Sequence, residues 1–238
     1  MDNSNLSICL PALNEGSSIE KYVRDIYVAA KEHLTKFEII IVDDGSTDDT
    51  YEIATQLQKK LGDEVKVIRK EKNEGIGPAL RTASEHAQYA YFVGFPSDGA
   101  YLIEGVKKLF MHIGEKPIII SYRENLNQRP MLRKVISKCV TYYVRFLCGK
   151  KIKDSQSAIV IPTELYRSLK INFAKYNCQM QIVSLVLSYR IEYREIPVIY
   201  SSDADQQSGM IRWNVLKEVL KTSCHLLYLK CIGKLGNR

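Results

Sequence analysis

The sequence contains no CxxC pair: its six cysteines stand at 9, 139, 148, 178, 224 and 231, and none of its four histidines falls at ligand spacing to them. A zinc site and a disulfide framework are therefore not signalled, and a reducing, cytoplasmic setting is expected. The opening residues, MDNSNLSICLPALNEG, lack a basic segment ahead of a long apolar run, so no secretory leader is expected. No uninterrupted apolar stretch reaches the ~18 residues of a spanning helix, and the body is not expected to cross a membrane. Internal repeats, low-complexity tracts and clear linkers are also missing. What is present is a chain of 238 residues, 45% hydrophobic, enough to bury one large core.

Charge is concentrated in one place. The stretch from Arg129 to Lys153 holds eight basic residues (Arg129, Arg133, Lys134, Lys138, Arg145, Lys150, Lys151, Lys153) and no acidic one, against a net charge of +7 for the whole chain. The rest of the molecule is close to neutral, and the cluster points to a local anionic partner. A solvated helix face is the plainer alternative. No nucleic-acid recognition motif accompanies the cluster, so nucleic acid is not expected as a partner.

Short β-rich runs alternate with helical patterns through the first half. LSICL (6–10), FEIIIV (37–42), VKVI (65–68) and YFVGF (91–95) read as buried parallel strands. Between them, Ile19, Tyr22, Val23, Ile26, Ala30 and Leu34 share one helical face, with Ser17 and Glu20 spaced as a capping box. A second helix is expected after Ser46 and a third near Gly77, with Pro78 in its first turn. In the second half, PIIIS (117–121), QSAIVIP (156–162) and REIPVIY (194–200) read as strands. Met131 to Cys148, Cys178 to Arg190 and Ile211 to Ile232 read as helices. The pattern predicts an α/β fold with a mostly parallel sheet flanked by helices, spanning 1–205. Residues 206–238 would form an amphipathic C-terminal helix for a membrane or homo-oligomer contact.

Ligands of such sheets bind beyond the carboxyl ends of the strands. Three loops fall there: Pro11-Ala12-Leu13-Asn14-Glu15-Gly16, Asp43-Asp44-Gly45-Ser46-Thr47-Asp48-Asp49-Thr50 and Asn73-Glu74-Gly75-Ile76-Gly77. Lying side by side, they can build one nucleotide cleft from Pro11, Ala12, Leu13, Glu15, Asp43, Asp44 and Gly75. A carboxylate at a strand end can accept hydrogen bonds from a base or a ribose, and glycine lets the backbone approach a ligand closely. Taken singly, Ser46 or Thr47 caps a helix and Asp48 and Asp49 favour its positive end. The conjunction of three such loops is harder to explain by capping alone.

PALNEG, IIIVDDGSTDDT and NEGIGPALRTA together resemble the N-terminal signature of family-2 glycosyltransferases, which have the GT-A nucleotide-sugar fold. SYRENLNQRPMLRKVISK (121–138) and KDSQSAIVIPTELY (153–166) extend the resemblance to the dolichol-phosphate mannose synthase-like enzymes and their polyprenyl-phosphate relatives. The resemblance covers residues 1–170 well and the last third loosely. It implies a hexosyltransferase, inverting at the sugar, that uses a UDP- or GDP-linked donor and a polyprenyl phosphate acceptor at the cytoplasmic membrane face. Pro11, Leu13 and Glu15 match nucleotide-lining positions, and Asp44 matches the carboxylate that reads base or ribose. Asp98 matches the second acid of the family's DxD, a ligand for Mg²⁺ or Mn²⁺. Arg123, Arg133 and Ser137 match residues that meet the acceptor phosphate, and Asp154 and Gln156 match the acceptor-side loop. Asp98, Arg123 and Arg133 are thus the expected catalytic residues.

The chain departs from that pattern at the metal and the donor phosphates. Pro96 stands where the family has the first acid of DxD, and Ala100 where a glutamine is frequent. The family's Arg-x-x-Gly-x-Ser-Lys becomes Gln206-Gln207-Ser208-Gly209-Met210-Ile211-Arg212, keeping Gly209 and the basic Arg212, the expected donor-phosphate contact. Any divalent ion is expected to bind weakly, leaning on phosphate oxygens and water. An acceptor phosphate is already anionic and needs cations to hold it rather than a strong base. A glycan hydroxyl would need one, with Asp154 or Asp98 as candidates. That reading, and a non-catalytic nucleotide-sugar-binding protein suggested by Pro96, Ala100 and Gln206, are the rivals.

Overall fold

Valine- and isoleucine-rich runs too short to make helices lie between amphipathic segments. In the computed structural model, which describes residues 5–169, 171, 178–189, 191–201 and 213–232, they pair into one sheet. The strands are β1 (Asn5–Ala12), β2 (Lys36–Asp43), β3 (Val65–Arg69), β4 (Tyr91–Gly94), β5 (Ile118–Arg123), β6 (Ile159–Pro162) and β7 (Tyr193–Val198). The helices are α1 (Ile19–His33), α2 (Thr50–Leu61), α3 (Ile76–His86), α4 (Ile103–Met111), α5 (Met131–Cys148), α6 (Thr163–Ser168), α7 (Cys178–Ser188) and α8 (Trp213–Cys231). The sheet order is β3-β2-β1-β4-β6-β5-β7. Pairing is parallel except at β6, which runs antiparallel to both β4 and β5. The mostly parallel, helix-flanked sheet expected from the sequence is the one observed.

Alternate residues of one strand serve two cores, because successive side chains of a strand point to opposite faces. Ile39 and Ile41 join the layer under α1, α2 and α4, whereas Ile40 and Val42 join the layer under α3, α5 and α7. α8 is docked on this second layer: Leu226 is buried, the Tyr143 hydroxyl donates to Ser223 O (2.5 Å), and Lys230 Nζ donates to Phe146 O (2.6 Å) and Leu147 O (2.8 Å). The expected membrane or oligomer helix therefore contributes to the core on one side. Among the described residues no helix is long and apolar enough to cross a membrane.

Several local expectations are corrected. The Ser17–Glu20 capping box does not form: α1 starts at Ile19, Ser18 Oγ turns back to Glu15 Oε2 (2.8 Å), and Glu20 pairs with Arg24 (2.8 Å). α2 starts at Thr50 rather than just after Ser46, because Ser46 accepts the Asn14 N–H (3.0 Å) and Thr47 donates to Asn14 Oδ1 (2.9 Å). The strand expected over 156–162 pairs only from Ile159, since Gln156 and Ser157 are tied to Asp154 instead. α5 has the expected limits, closed by Gly149 at φ +65 with its N–H on Arg145 O (2.8 Å). Its apolar residues divide, however: Val140, Val144 and Leu147 face the core, while Met131, Leu132, Val135, Tyr142 and Phe146 face outward.

Candidate active site

Four loops meet at the carboxyl ends of β1–β4, and they are cross-linked to one another. Asn14, in the left-handed region at φ 58, joins the first loop to the second through Ser46 and Thr47. Glu15 N–H donates to Thr50 Oγ1 (2.8 Å), and Gly16 N–H to Asp48 Oδ2 (3.1 Å). The second loop joins the third because Gly45, at φ +78, approaches the Lys72 backbone so closely that a Cβ would stand 2.8 Å from a main-chain carbon. Ser97 Oγ, after β4, donates to Pro11 O (2.7 Å).

Within this frame the two expected acids differ from their neighbours. Asp43 is wholly buried; its Oδ1 accepts the Ser46 N–H (3.0 Å) and its Oδ2 lies 3.3 Å from Arg69 Nε as an ion pair. Asp44 accepts the N–H of Glu74 (3.1 Å) on one oxygen and of Gly75 (2.7 Å) on the other, with Lys70 Nζ at 3.7 Å. Gly75 takes φ +99, a conformation that favours glycine. Asp44 thus builds the turn that opens α3. Pro11, Ala12 and Leu13 line the first loop, and Leu13 and Asp98 are exposed.

Asp98 Oδ1 accepts the Ala100 N–H (2.9 Å), which aims the carboxyl group while leaving it accessible. Glu15 lies near enough to Asp98 and Asp48 to feel them. Burial first, then repulsion from those two acids, raises its carboxyl above the usual range, against the Ser18 hydrogen bond that lowers it. Among the described residues no group of three or more His, Cys, Asp or Glu is arranged to hold a metal. The donor set fits a hard divalent ion only where diphosphate and water supply most of the ligands beside Asp98.

Of the residues expected at the acceptor, Ser137 on α5 and Asp154 in the loop before β6 line one pocket. Ser137, Lys138, Thr141, Tyr142 and Arg145 of α5, with Leu126, Lys153 and Asp154, line a pocket of about 130 Å³. Ser137, Thr141 and Arg145 follow at intervals of four, so one helix face supplies them. Asp154 is 8% exposed; its Oδ1 accepts the Gln156 N–H (2.9 Å) and its Oδ2 the Ser157 hydroxyl (2.7 Å). The structure therefore brings Ser137 and Asp154 together. Arg133 sits one turn before Ser137, outside the pocket lining. Arg123, at the end of β5, is buried with its guanidinium 4.7 Å from the Tyr200 ring centre. Arg212 lies outside the described residues. Lys138, Arg145 and Lys153 belong to the basic cluster expected to face an anion, whereas Leu126, Thr141, Tyr142 and Tyr200 were not singled out, although the spacing of Thr141 four residues after Ser137 was visible.

The glycosyl transferase family 2 model matches residues 7–125, which holds all four cross-linked loops. The chain belongs to that family. Among curated relatives, the dolichyl-phosphate beta-glucosyltransferase of Dictyostelium discoideum is 26% identical over 218 residues, covering 83% of this chain and 67% of the relative. The Saccharomyces cerevisiae enzyme of the same name is 28% identical, with coverages of 81% and 66%. The dolichol-phosphate mannosyltransferase of Pyrococcus furiosus is 29% identical, with coverages of 86% and 59%. The chain thus spans about two thirds or less of these relatives' lengths. Among solved structures, glucosyl-3-phosphoglycerate synthase from Mycobacterium tuberculosis with phosphoglyceric acid superposes at a TM-score of 0.69 and 17% identity, covering 95% of this chain and 80% of that one. The same enzyme with Mn²⁺, UDP and glucosyl-3-phosphoglycerate gives 0.65 at 16% identity. These matches establish the GT-A type of fold.

Proposed function

We propose that the protein transfers a sugar from a nucleotide-sugar donor to a polyprenyl phosphate. The observation that carries this reading is the pocket on α5. Lys138, Arg145 and Lys153 line it, and none of them forms an ion pair with a carboxylate among the described residues. Arg145 Nε instead donates to Ile152 O (2.6 Å), and Lys153 Nζ lies over the Tyr122 ring. Glu195 accepts the Lys153 main-chain N–H (2.5 Å) and reaches the Lys153 ammonium only as a more distant charge. Three cations beside one carboxylate, Asp154, whose oxygens already accept from Gln156 and Ser157, leave an excess of positive charge that suits a phosphate monoester. The names of the curated relatives support the same acceptor class.

In this reading the phosphate oxygen forms a bond to the anomeric carbon as the bond from that carbon to the donor's diphosphate breaks, with inversion. The nucleotide diphosphate leaves with the electron pair. Arg133 and Ser137 hold the acceptor in line, so no strong base is needed. Pro11 to Glu15 and Asp44 hold the nucleotide, Asp98 faces its diphosphate, and Arg212 is the proposed cation beside it. A Mg²⁺ or Mn²⁺ bound there supplies charge neutralisation of the leaving group.

The same face suits a bilayer surface, on the cytoplasmic side. Met131, at 80% exposure, Leu132 and Phe146 of α5 are exposed, as are Leu220 and Tyr228 of α8, and α5 also carries Arg133, Lys134, Lys138 and Arg145. Apolar contact flanked by lysine and arginine is the chemistry that holds a protein at anionic lipid. A radiolabelled UDP- or GDP-sugar panel, offered with polyprenyl phosphate and separately with oligosaccharide, tests the acceptor. Label entering the lipid phase supports the proposal, and label entering only oligosaccharide refutes it. Binding of donor with no turnover on either acceptor would favour the non-catalytic reading that Pro96 suggests.

A further inference from the structure

Tyr200 stands where the donor side, the acceptor loop and Arg123 meet. Both of its main-chain groups are taken by one side chain: Tyr200 N–H donates to Asn125 Oδ1 (3.1 Å), and Asn125 Nδ2 donates to Tyr200 O (2.8 Å). The Ser201 N–H donates to Ala100 O (2.9 Å), two residues beyond Asp98. The ring lies against Tyr101 (centres 4.4 Å apart) and against the Arg123 guanidinium. Its hydroxyl donates to the Tyr101 hydroxyl and packs 3.0 Å from Ser157 Oγ, whose own proton goes to Asp154 Oδ2, so it fixes the position of the Ser157 oxygen. Tyr101 in turn accepts the Ala158 N–H (2.6 Å). Burial pushes the Tyr101 phenol up to about 12 and the Tyr200 phenol well above its ordinary value. Both hydroxyls therefore keep their protons at neutral pH.

We infer that Tyr200 is the positioning residue of the acceptor site, its ring orienting Arg123 and its hydroxyl orienting Asp154 through Ser157. The inference rests on the acceptor reading above and assigns a role to a side chain that need not touch the substrate. A core tyrosine needs only packing and one partner for its hydroxyl. Tyr200 instead joins two groups expected at the acceptor, drawn from β5 and from the loop before β6. An arginine stacked on a ring loses little further freedom when it receives a phosphate, so the stack is an affinity device as well as a contact.

The test is calorimetric binding of farnesyl phosphate to the full chain, with melting temperature recorded for each variant. Tyr200→Leu removes ring and hydroxyl, and is expected to weaken binding about tenfold, as is Arg123→Gln. The double variant should be weaker than Arg123→Gln alone by less than about threefold, because the two act through one arrangement. Tyr200→Phe keeps the ring and loses the hydroxyl; with Ser157→Ala it forms a second cycle, each costing about threefold and the pair no more than either. That second cycle carries the test if Tyr200→Leu does not fold. Parent-like affinity in a folded variant, or additive losses in the folded cycle, would overturn the inference even if the melting temperature fell. A folded parent that fails to bind farnesyl phosphate would overturn the acceptor reading and this inference together.

Discussion

The β1–β4 half and the α5 face are built from similar charged residues, yet they use them in opposite ways. Around β1–β4 four cations are closed internally: Lys66 meets the buried Glu38 (2.7 Å), Arg69 meets Asp43, Lys70 lies between Asp44 and Glu74, and Lys107 reaches Glu32 (2.6 Å). Glu38 also accepts from Ser7 Oγ (2.6 Å) and the Gln88 N–H (2.6 Å), so its charge is fully engaged. On α5 and the loop after it, Lys138, Arg145, Lys150, Lys151 and Lys153 form no ion pair among the described residues. A buried charge must find its partners within the fold, whereas a half-exposed cation can wait for one that arrives. The first region is closed on itself, and the second carries cations that the proposed function assigns to an anion.

The sharpest way to break this contrast is Asp44→Ala. It leaves the Glu74 and Gly75 N–H groups without their acceptor, and is expected to abolish nucleotide-sugar binding and to lower stability by about 1–3 kcal/mol. Calorimetry and denaturant titration measure the two effects; undiminished nucleotide affinity would remove Asp44 from the site. On the other side, Arg133→Ala is expected to lower turnover on a short soluble prenyl phosphate by about a hundredfold, with unchanged melting, as for loss of a charge-holding group. Comparable loss of stability would show that Arg133 serves the fold rather than the acceptor.

Asp98→Asn should remove any metal stimulation of turnover, and Mn²⁺ titrated into the nucleotide-free parent should bind weakly, because one exposed carboxylate cannot hold the ion alone. Tight binding without nucleotide would reveal ligands outside this account. Replacing Lys150 and Lys151 together by alanine should weaken sedimentation with anionic liposomes by about 2 kcal/mol in total, an effect that fades as salt rises. Equal sedimentation of parent and variant at every salt concentration would make those lysines a solvated face.

The smallest expected effect concerns Glu15. Its folded-state carboxyl titrates above its unfolded value, so over that interval the folded protein binds more protons and stability falls as pH rises. Glu15→Gln should therefore raise the melting temperature at pH 7 and leave it unchanged below the carboxylate range. A lowered melting temperature at pH 7 would show that the Ser18 hydrogen bond outweighs burial.

Much of the donor side was legible because strand, turn and helix signals coincide there. The β-branched runs located β1 to β4, and the glycines at 45 and 75 marked turns whose φ values are positive. Helix starts were less legible. Ser17 and Ser46 have the composition of caps, yet Ser18 takes the N-cap position and Ser46 is drawn away by Asn14, a partner 32 residues distant. On α5 the apolar periodicity gave the limits, but not which apolar residues would be covered. That depends on where β5, α7 and α8 lie. Tyr200 was invisible for the same reason, its partners being Arg123, Asn125, Tyr101 and Ser157 from three other segments.

By itself, then, the sequence determined the periodicities, the turn glycines and the clustering of eight cations in one stretch. Local sterics and charge count, which do not depend on what packs where, fix all three. Only the tertiary structure decided that β6 would enter the sheet antiparallel, that Asp44 would be engaged by the α3 turn, and that Ser137 and Asp154 would share a pocket. Each of these joins residues far apart in the chain, and a hydrogen bond or a wall between them exists only once the two layers have closed on the sheet.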